Sequence, residues 1–498
     1  MGTTTSFRPA DGQVVGTVPD SSPEELEAAV ATATSAAAAM ATASPRQRQV
    51  WIEAVAAALE AHVDELATLA DAETGLGLQR LSGEVARAAA QLRFYASVAV
   101  EGSYLGVTVD SATTTSPRLV RVNQPIGPVA VFGASNFPFG FGVLGNDTAS
   151  ALAAGCPVVA KAHPAHVLLS VRLAELASAA LAGAGAPHGA FGLVSGMEAG
   201  TALVQAPGIC AVGFTGSQGG GLALWRLANE RAVVIPVYAE MGTVNPAVMT
   251  SAALSRIDEV AEGFVASFTL GSGQFCTKPG MLLAPAGHGV ADAVARALTA
   301  AAPSPVMLTS AIAGHAVASV EALAAAGAQV AARVPGSGAG WAADAVVLTA
   351  PASALVPESP LLAECFGPVA VVVEYPDRPA LEKALSALQG SLAGTVVTDG
   401  SGADPETEEL VSRLAGQVGR VTVDDWPTGV AWTWAQQHGG PWPSTSAPAA
   451  TSVGAAALDR WMRPVTFQSV PDVALPSVAR EDNPWRVPRR VDGQLVLA

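Results

Sequence analysis

The sequence predicts an α/β protein built on parallel sheets, and three observations carry that prediction. Short β-branched runs alternate with helix-like stretches from Val129 to Gly242, the same alternation resumes from Thr243 to Gly440, and an alanine-rich helical segment precedes both. Strand and helix in turn imply crossover connections, which set strands parallel and place helices on the sheet faces. The 498 residues are enough for about two to four domains.

Composition narrows the classes further. Charged residues make up 14% of the chain, apolar residues 50%, and the formal charge is −16. Disorder and polyanion binding, including nucleic acid, are therefore not expected. Residues 122–146 carry no charge and are long enough to span a bilayer, but they contain Pro125, Pro128, Pro138 and the pair Asn123-Gln124. A buried strand and turn are expected there, not a membrane helix. Cys156, Cys210, Cys276 and Cys365 lie far apart without a CxxC, and the N-terminal residues have no apolar signal core. A reduced, cytoplasmic protein is the expectation. The seven histidines form no HExxH or similar pair, so no metal is expected.

The elements follow in order. Between Pro23 and Val100, apolar residues recur three and four apart through Trp51, Val55, Leu59, Val63 and Leu66, with Ser22 before Pro23 as a helix cap. Leu119-Val120-Arg121-Val122 reads as a short strand. Strands are then expected at 129–132, 158–161, 191–194, 211–214 and 233–237, with helices at 148–154, 167–182, 197–205 and 220–230. In the second region strands are expected at 281–283, 345–348, 370–373, 394–397 and 420–423, with helices at 377–389 and 404–414. The segment from Pro441 is rich in Pro, Ser and Trp and reads as irregular.

Five places carry residues suited to chemistry. Gly213-Phe214-Thr215-Gly216-Ser217-Gln218-Gly219-Gly220-Gly221 joins a strand end to a helix; it fits either a phosphate cradle or a plain glycine-rich connection. Lys161 ends a strand, where it is either solvated or placed to hold a ribose hydroxyl or phosphate. Cys276, flanked by Gly271, Gly273, Gly280 and Lys278, suits a tight loop with a nucleophilic thiol, against the common role of a buried structural cysteine. Glu240 follows an apolar run and Glu364 precedes Cys365-Phe366-Gly367-Pro368; partial burial would suit such a carboxylate to general-base work, and a satisfied surface group is the alternative.

Together these segments resemble the aldehyde dehydrogenase superfamily over nearly the whole chain. The resemblance rests on Ser135-Asn136-Phe137-Pro138, Phe214-Thr215-Gly216-Ser217, Glu240-Met241-Gly242 with Asn245-Pro246, Gly273-Gln274-Phe275-Cys276, and Glu364-Cys365-Phe366-Gly367-Pro368. Lys161-Ala162-His163-Pro164, Cys276-Thr277-Lys278-Pro279-Gly280 and His438-Gly439-Gly440-Pro441 resemble the ketoglutarate-semialdehyde (2,5-dioxopentanoate) and NADP-dependent branch.

The resemblance implies an aldehyde dehydrogenase fold. A Rossmann-like cofactor domain would occupy residues 1–112 and 126–241, and an α/β catalytic domain residues 242–440. Residues 113–125 and 441–498 would form a small oligomerisation element and tail, giving a homodimer or homotetramer. It further implies an NAD(P)-dependent oxidation of a small-molecule aldehyde to an acid. Cys276 would attack the aldehyde, Asn136 and the Cys276 backbone N–H would hold the oxyanion, and Glu240 would activate water to release the acid from a thioester. Lys161, Gly216, Ser217, Gly221, Glu364 and Phe366 would bind the cofactor. Relatives that transfer the acyl group to coenzyme A commonly lack the glutamate, so water is the expected acceptor.

The sequence departs from the family in two places. Pro164 stands where NAD-preferring relatives often carry a glutamate, while Met197 stands where NADP-preferring relatives tend to carry an arginine. The expected cofactor is NADP or NAD, leaning to NADP. Candidate substrate-pocket residues are Phe137, Phe275, Trp432, Trp434 and Arg87. The two indoles suit an aromatic or long-chain aldehyde, whereas Arg87, or Arg93 beside it, would suit the distal carboxylate of ketoglutarate semialdehyde. A cysteine hydrolase using Cys276 with His438 is the competing class; it leaves Lys161 and the glycine-rich turn without a task. An inactive homologue is disfavoured because Asn136, Glu240 and Cys276 are all present.

Overall fold

A computed structural model describes residues 2–497. Four helices open the main body, Pro23–Thr42, Pro45–Ala61, Val63–Thr74 and Leu78–Glu101. Ser22 and Ser44 each close a capping box, with Glu25 and Gln47 returning the bond to the cap backbone. The expected Ser22 cap is therefore present.

The first parallel sheet orders its strands Phe191–Val194, Val158–Lys161, Val129–Phe132, Ala211–Gly216 and Val237–Met241. Three of these match the expected bounds, and 211–214 extends by two residues to Gly216. The strand expected at 233–237 is displaced. Val233 and Val234 are 73% and 58% exposed, Pro236 offers no ladder N–H, and pairing begins at Val237. Glu240 therefore lies inside the strand, facing the protein interior, instead of following it.

The second sheet has seven strands, ordered Gln329–Val334, Ala345–Pro351, Val369–Tyr375, Met281–Pro285, Pro246–Met249, Ser391–Val397 and Val418–Val423. All pairs are parallel except the first. A third sheet joins Met462–Gln468, Leu119–Pro125, Thr108–Asp110, Arg489–Val491 and Gln494–Val496. The segment after Pro441 thus contains regular strands, because Met462–Gln468 pairs along the full length of Leu119–Pro125. Thr108–Asp110, which sequence placed with the cofactor unit, pairs in this third sheet.

Residues 122–146 run from that third sheet through the central strand Val129–Phe132 and a series of turns into the helix Asn146–Ala154. Pro164–Gly183 is apolar and long enough to cross a membrane by composition, with half of its hydropathic window buried; it packs on Pro45–Ala61 and Phe191–Val194. The largest core lies between the opening helices and the first sheet and includes Trp51, Tyr95 and Trp461.

Candidate active site

Cys276 sits on a loop whose backbone only small residues can follow. After the helix Ile257–Thr269, Gly271, Ser272 and Gly273 take φ of 56°, 61° and 69°, the left-handed region that costs residues with a Cβ. A Cβ at Gly273 would overlap the Gly367 carbonyl, so the loop lies directly on the segment carrying Glu364 and Phe366.

Side chains from distant elements fix this loop. Asn245 Nδ2 donates to the carbonyls of Cys276 (2.7 Å), Lys278 (3.0 Å) and Thr243 (3.2 Å), while its Oδ1 accepts from Ala393 N at 3.0 Å. Asn245, which precedes Pro246 in the sequence motif, is thereby a positioning residue for the nucleophile loop. Lys278 Nζ donates to the Val369 carbonyl at 2.6 Å. The Asn136 amide donates to the Gln274 carbonyl at 2.8 Å, which brings it beside the nucleophile loop with one amide hydrogen remaining.

Glu240 and Cys276 come together across the two regions, and buried His438 completes the group. The carboxylate accepts from Ser452 Oγ at 2.6 Å, His438 Nε2 stands 2.9 Å from its other oxygen, and Nε2 is 3.6 Å from Cys276 Sγ. Burial pushes Glu240 upward, but the charge and hydrogen bond of His438, with the Ser452 and Cys276 bonds, leave it net below the usual carboxylate range. The Cys276 thiol is pushed well up by burial first, then by the charge and hydrogen bond of Glu240 and the charge of Glu364; Arg420 opposes this. The resting site is thus a neutral thiol facing an anionic carboxylate. No metal was expected from histidine spacing, yet Glu240, Cys276 and His438 form a three-donor cluster in space.

Behind Glu240, Asp147 and Arg460 form a buried ion pair at 2.7 Å. Arg460 also donates to the Ser452 carbonyl at 3.3 Å, which ties the pair to the serine that holds Glu240.

A cleft of about 770 Å³ leads from Pro164 and Met197 to Glu240 and Cys276. Gly216, Ser217, Glu364 and Phe366 stand on its wall. The helix Gln218–Asn229 begins at Ser217, whose Oγ accepts from Gly220 N at 3.2 Å, and a helix N-terminus favours a phosphate. Any Cβ at Gly242 would fall on the Glu364 carboxylate, so glycine is needed for that group to turn toward the cleft. Burial pushes Glu364 up to about 7, with Lys278 pulling it down and Glu240 raising it. These features fit a nicotinamide dinucleotide: an anion site at one end, and a carboxyl group for ribose hydroxyls at the other.

Two expected cofactor residues stand off the cleft wall. Gly221 is off the cleft wall; a Cβ there would stand 2.7 Å from Met241 Sδ, so its task is helix-to-sheet packing. Lys161 also lies off the wall, largely buried, with burial lowering its pKa against the charge of Asp20.

The expected substrate residues divide similarly. Phe137 and Phe275 meet edge to face with centroids 5.0 Å apart, next to Asn136 and Cys276. Trp432 is half-buried with its ring edge at Gly140. Trp434 is 55% exposed and leans on Phe94, so it belongs to the surface. Arg87 is exposed, and Arg93 is spent on Glu53 and Glu60 at 2.9 and 2.5 Å.

Arg80, which sequence reasoning missed, stands against Phe137 and Phe275 but, like Lys161, off the cleft wall. Its guanidinium stands 5.1 Å from the Phe137 centroid and 5.6 Å from that of Phe275, and Nη2 donates to the Asn136 carbonyl at 2.7 Å. Among the described residues no carboxylate pairs with it; nearby Glu84 instead accepts from the N–H groups of Phe139 and Gly140 at 3.0 and 3.1 Å.

Residues 2–464 match the aldehyde dehydrogenase family. The chain is 43% identical over 466 residues to alpha-ketoglutaric semialdehyde dehydrogenase 2 of Azospirillum brasilense, covering 90% of this chain and 87% of that protein. It is 38% identical over 460 residues to the alpha-ketoglutaric semialdehyde dehydrogenase of Acinetobacter baylyi, with the same two coverages of 90% and 87%. Among solved structures, an NADP-dependent enzyme of E. coli superposes with a TM-score of 0.80 at 22% identity, covering 94% of each chain. A NAD-dependent aldehyde dehydrogenase from Sinorhizobium meliloti gives 0.79 at 24%, covering 94% of this chain and 92% of that one. The fold, the family match over residues 2–464 and the relatives lead to one conclusion: the chain belongs to the aldehyde dehydrogenase family and is an NAD(P)-dependent aldehyde dehydrogenase.

Proposed function

We propose that the substrate is an aldehyde bearing a distal carboxylate, of the ketoglutarate-semialdehyde type, and that it is oxidised to the dicarboxylic acid. The observation that carries this reading is Arg80, a half-buried cation with no ion partner among the described residues, held on the two rings that flank the oxyanion donor and the nucleophile. A guanidinium in that setting favours a carboxylate, which it can bind through two parallel hydrogen bonds. Similarity to two ketoglutaric semialdehyde dehydrogenases supports the same class.

In this reading Cys276 Sγ bonds to the aldehyde carbon as its proton passes to the Glu240–His438 pair. The Asn136 amide and the Cys276 N–H hold the oxyanion. Bound nicotinamide supplies the hydride acceptor. Glu240, ionised and held by Ser452, then takes a proton from water, whose oxygen bonds to the thioester carbon; the C–S bond breaks and the acid leaves. The Cys276–His438 contact that a cysteine hydrolase would need is present, but Glu240 shares the imidazole and the adjoining cleft fits a nicotinamide dinucleotide. We also propose NADP as an accepted cofactor, since Pro164 presents no carboxylate against a 2′-phosphate at the cleft mouth.

The test is a panel of ketoglutarate semialdehyde, phenylacetaldehyde and a long-chain aldehyde, each with NAD and NADP, followed by reduced-nicotinamide absorbance. The semialdehyde is expected to give the highest kcat/KM. A higher value for either neutral aldehyde overturns the substrate class, and turnover with NAD alone overturns the use of NADP.

A further inference from the structure

Three donor atoms of different chemistry, two on buried residues and one on half-buried Cys276, converge at the nucleophile: a Glu240 carboxylate oxygen, Cys276 Sγ and His438 Nε2, all within 4.8 Å of one another. Ser452 satisfies Glu240 Oε2, but hydrogen bonding leaves the rest of the group incompletely satisfied. His438 Nε2 stands 2.9 Å from Glu240 Oε1 and 3.6 Å from Sγ, yet one ring nitrogen carries at most one hydrogen. Buried Oε1 has no well-directed hydrogen bond, and neither has His438 Nδ1. A buried carboxylate oxygen without a well-directed hydrogen bond, facing a thiol and an imidazole, completes a donor set suited to a cation.

We infer that this cluster is a three-ligand site for Zn²⁺, at which the ion captures the nucleophile and reversibly silences the enzyme. Zinc bonds of about 2.3 Å to sulfur and about 2.0 Å to nitrogen or oxygen, at tetrahedral angles, set ligands about 3.5 Å (S···N) and about 3.3 Å (N···O) apart. The Sγ···Nε2 distance of 3.6 Å already meets the first value. The Nε2···Oε1 distance of 2.9 Å must open by about 0.4 Å to meet the second. On binding, the Cys276 S–H bond breaks and its proton leaves to solvent, a Zn–S bond forms, His438 gives its Nε2 lone pair, and Glu240 gives an oxygen. Water takes the fourth position. Two anionic donors neutralise the dication, as a buried site requires. The sulfur and nitrogen donors select Zn²⁺ over Mg²⁺ or Ca²⁺, which favour oxygen shells. Because Nδ1 lacks the second hydrogen bond usual for a zinc histidine, the ion is expected to be removable by chelator. This differs from the oxidation chemistry proposed above and does not depend on the identity of the aldehyde.

The experiment uses chelator-treated full-length enzyme in buffered free Zn²⁺. Metal bound per chain is measured alongside activity, and Cd²⁺ is added separately as a spectroscopic probe. One Zn²⁺ per chain, activity lost in step with occupancy and regained with EDTA, and an ultraviolet sulfur-to-cadmium band are expected. His438→Gln is expected to weaken binding at least about tenfold, and Cys276→Ala to abolish the cadmium band while melting as the parent does. The proposal is overturned if His438→Gln binds as tightly as the parent or if Cys276→Ala keeps the band. It is equally overturned if replacing the half-exposed Cys210 by serine removes the inhibition.

Discussion

The side-chain amide of Asn245 bonds the carbonyl of Cys276 itself at 2.7 Å. A residue on the approach to Pro246–Met249 thereby holds the nucleophile's own backbone, and two further carbonyls and the Ala393 N–H share the same side chain. Asn245→Ala leaves these buried groups unpaired, at about 1–3 kcal/mol for each that finds no water. The variant is expected to melt several degrees lower and to lose most of its kcat, as thermal unfolding and steady-state assays would show. A stable variant with full kcat would remove Asn245 from the positioning role.

Glu240→Gln keeps the shape of the general base and removes its basicity. One equivalent of reduced nicotinamide is expected to form rapidly per active site, followed by steady turnover reduced about 10²- to 10⁴-fold. Rapid-mixing absorbance distinguishes this from a variant that has lost the burst, which would place Glu240 in the first chemical step alone.

Glu364 gives a pH signature in stability. Its pKa in the folded protein is raised to about 7 from about 4.3 in the unfolded chain. The folded state therefore binds the proton more tightly. Its favourable share is complete below the unfolded value and is lost as pH rises toward the folded one. Glu364→Gln is expected to flatten stability between about pH 4.5 and 7 and to weaken cofactor binding. Denaturant titrations of both proteins at the two ends of that window check the first expectation, and a parallel pH slope in the variant would contradict it.

Arg80→Gln retains a donor for the Asn136 carbonyl while removing the charge. The kcat/KM for a carboxylate-bearing aldehyde is expected to fall about 10- to 100-fold, the loss of one charge-assisted contact. A neutral aldehyde of the same length should change by less than about threefold. Equal losses for both would make Arg80 a support for Asn136 and not a substrate contact.

Much of this architecture was legible in the sequence because parallel strands with helices on their faces leave short apolar runs; 129–132, 158–161 and 191–194 emerge with the bounds expected, the first two fully buried. The run 233–237 misled because Val233 and Val234 are apolar yet surface-exposed, and only Pro236 hinted at the break. Motifs located Cys276, Glu240 and Asn136, but not the bonds among them. His438 lies 162 positions from Cys276, and no periodicity reports a contact of that span. Arg80 was missed for a related reason. A cation near the start of an amphipathic helix looks solvated until the two phenyl rings arrive from elsewhere in the chain.

The meeting of Gly273 with the Gly367 carbonyl couples two loops with separate duties. One presents the nucleophile and the other presents Glu364 and Phe366, and no side chain fits between them. Neither loop can be lengthened, shifted or exchanged with that of a relative without carrying the other along. For anyone redesigning cofactor choice in this enzyme, the two segments are a single inheritable part.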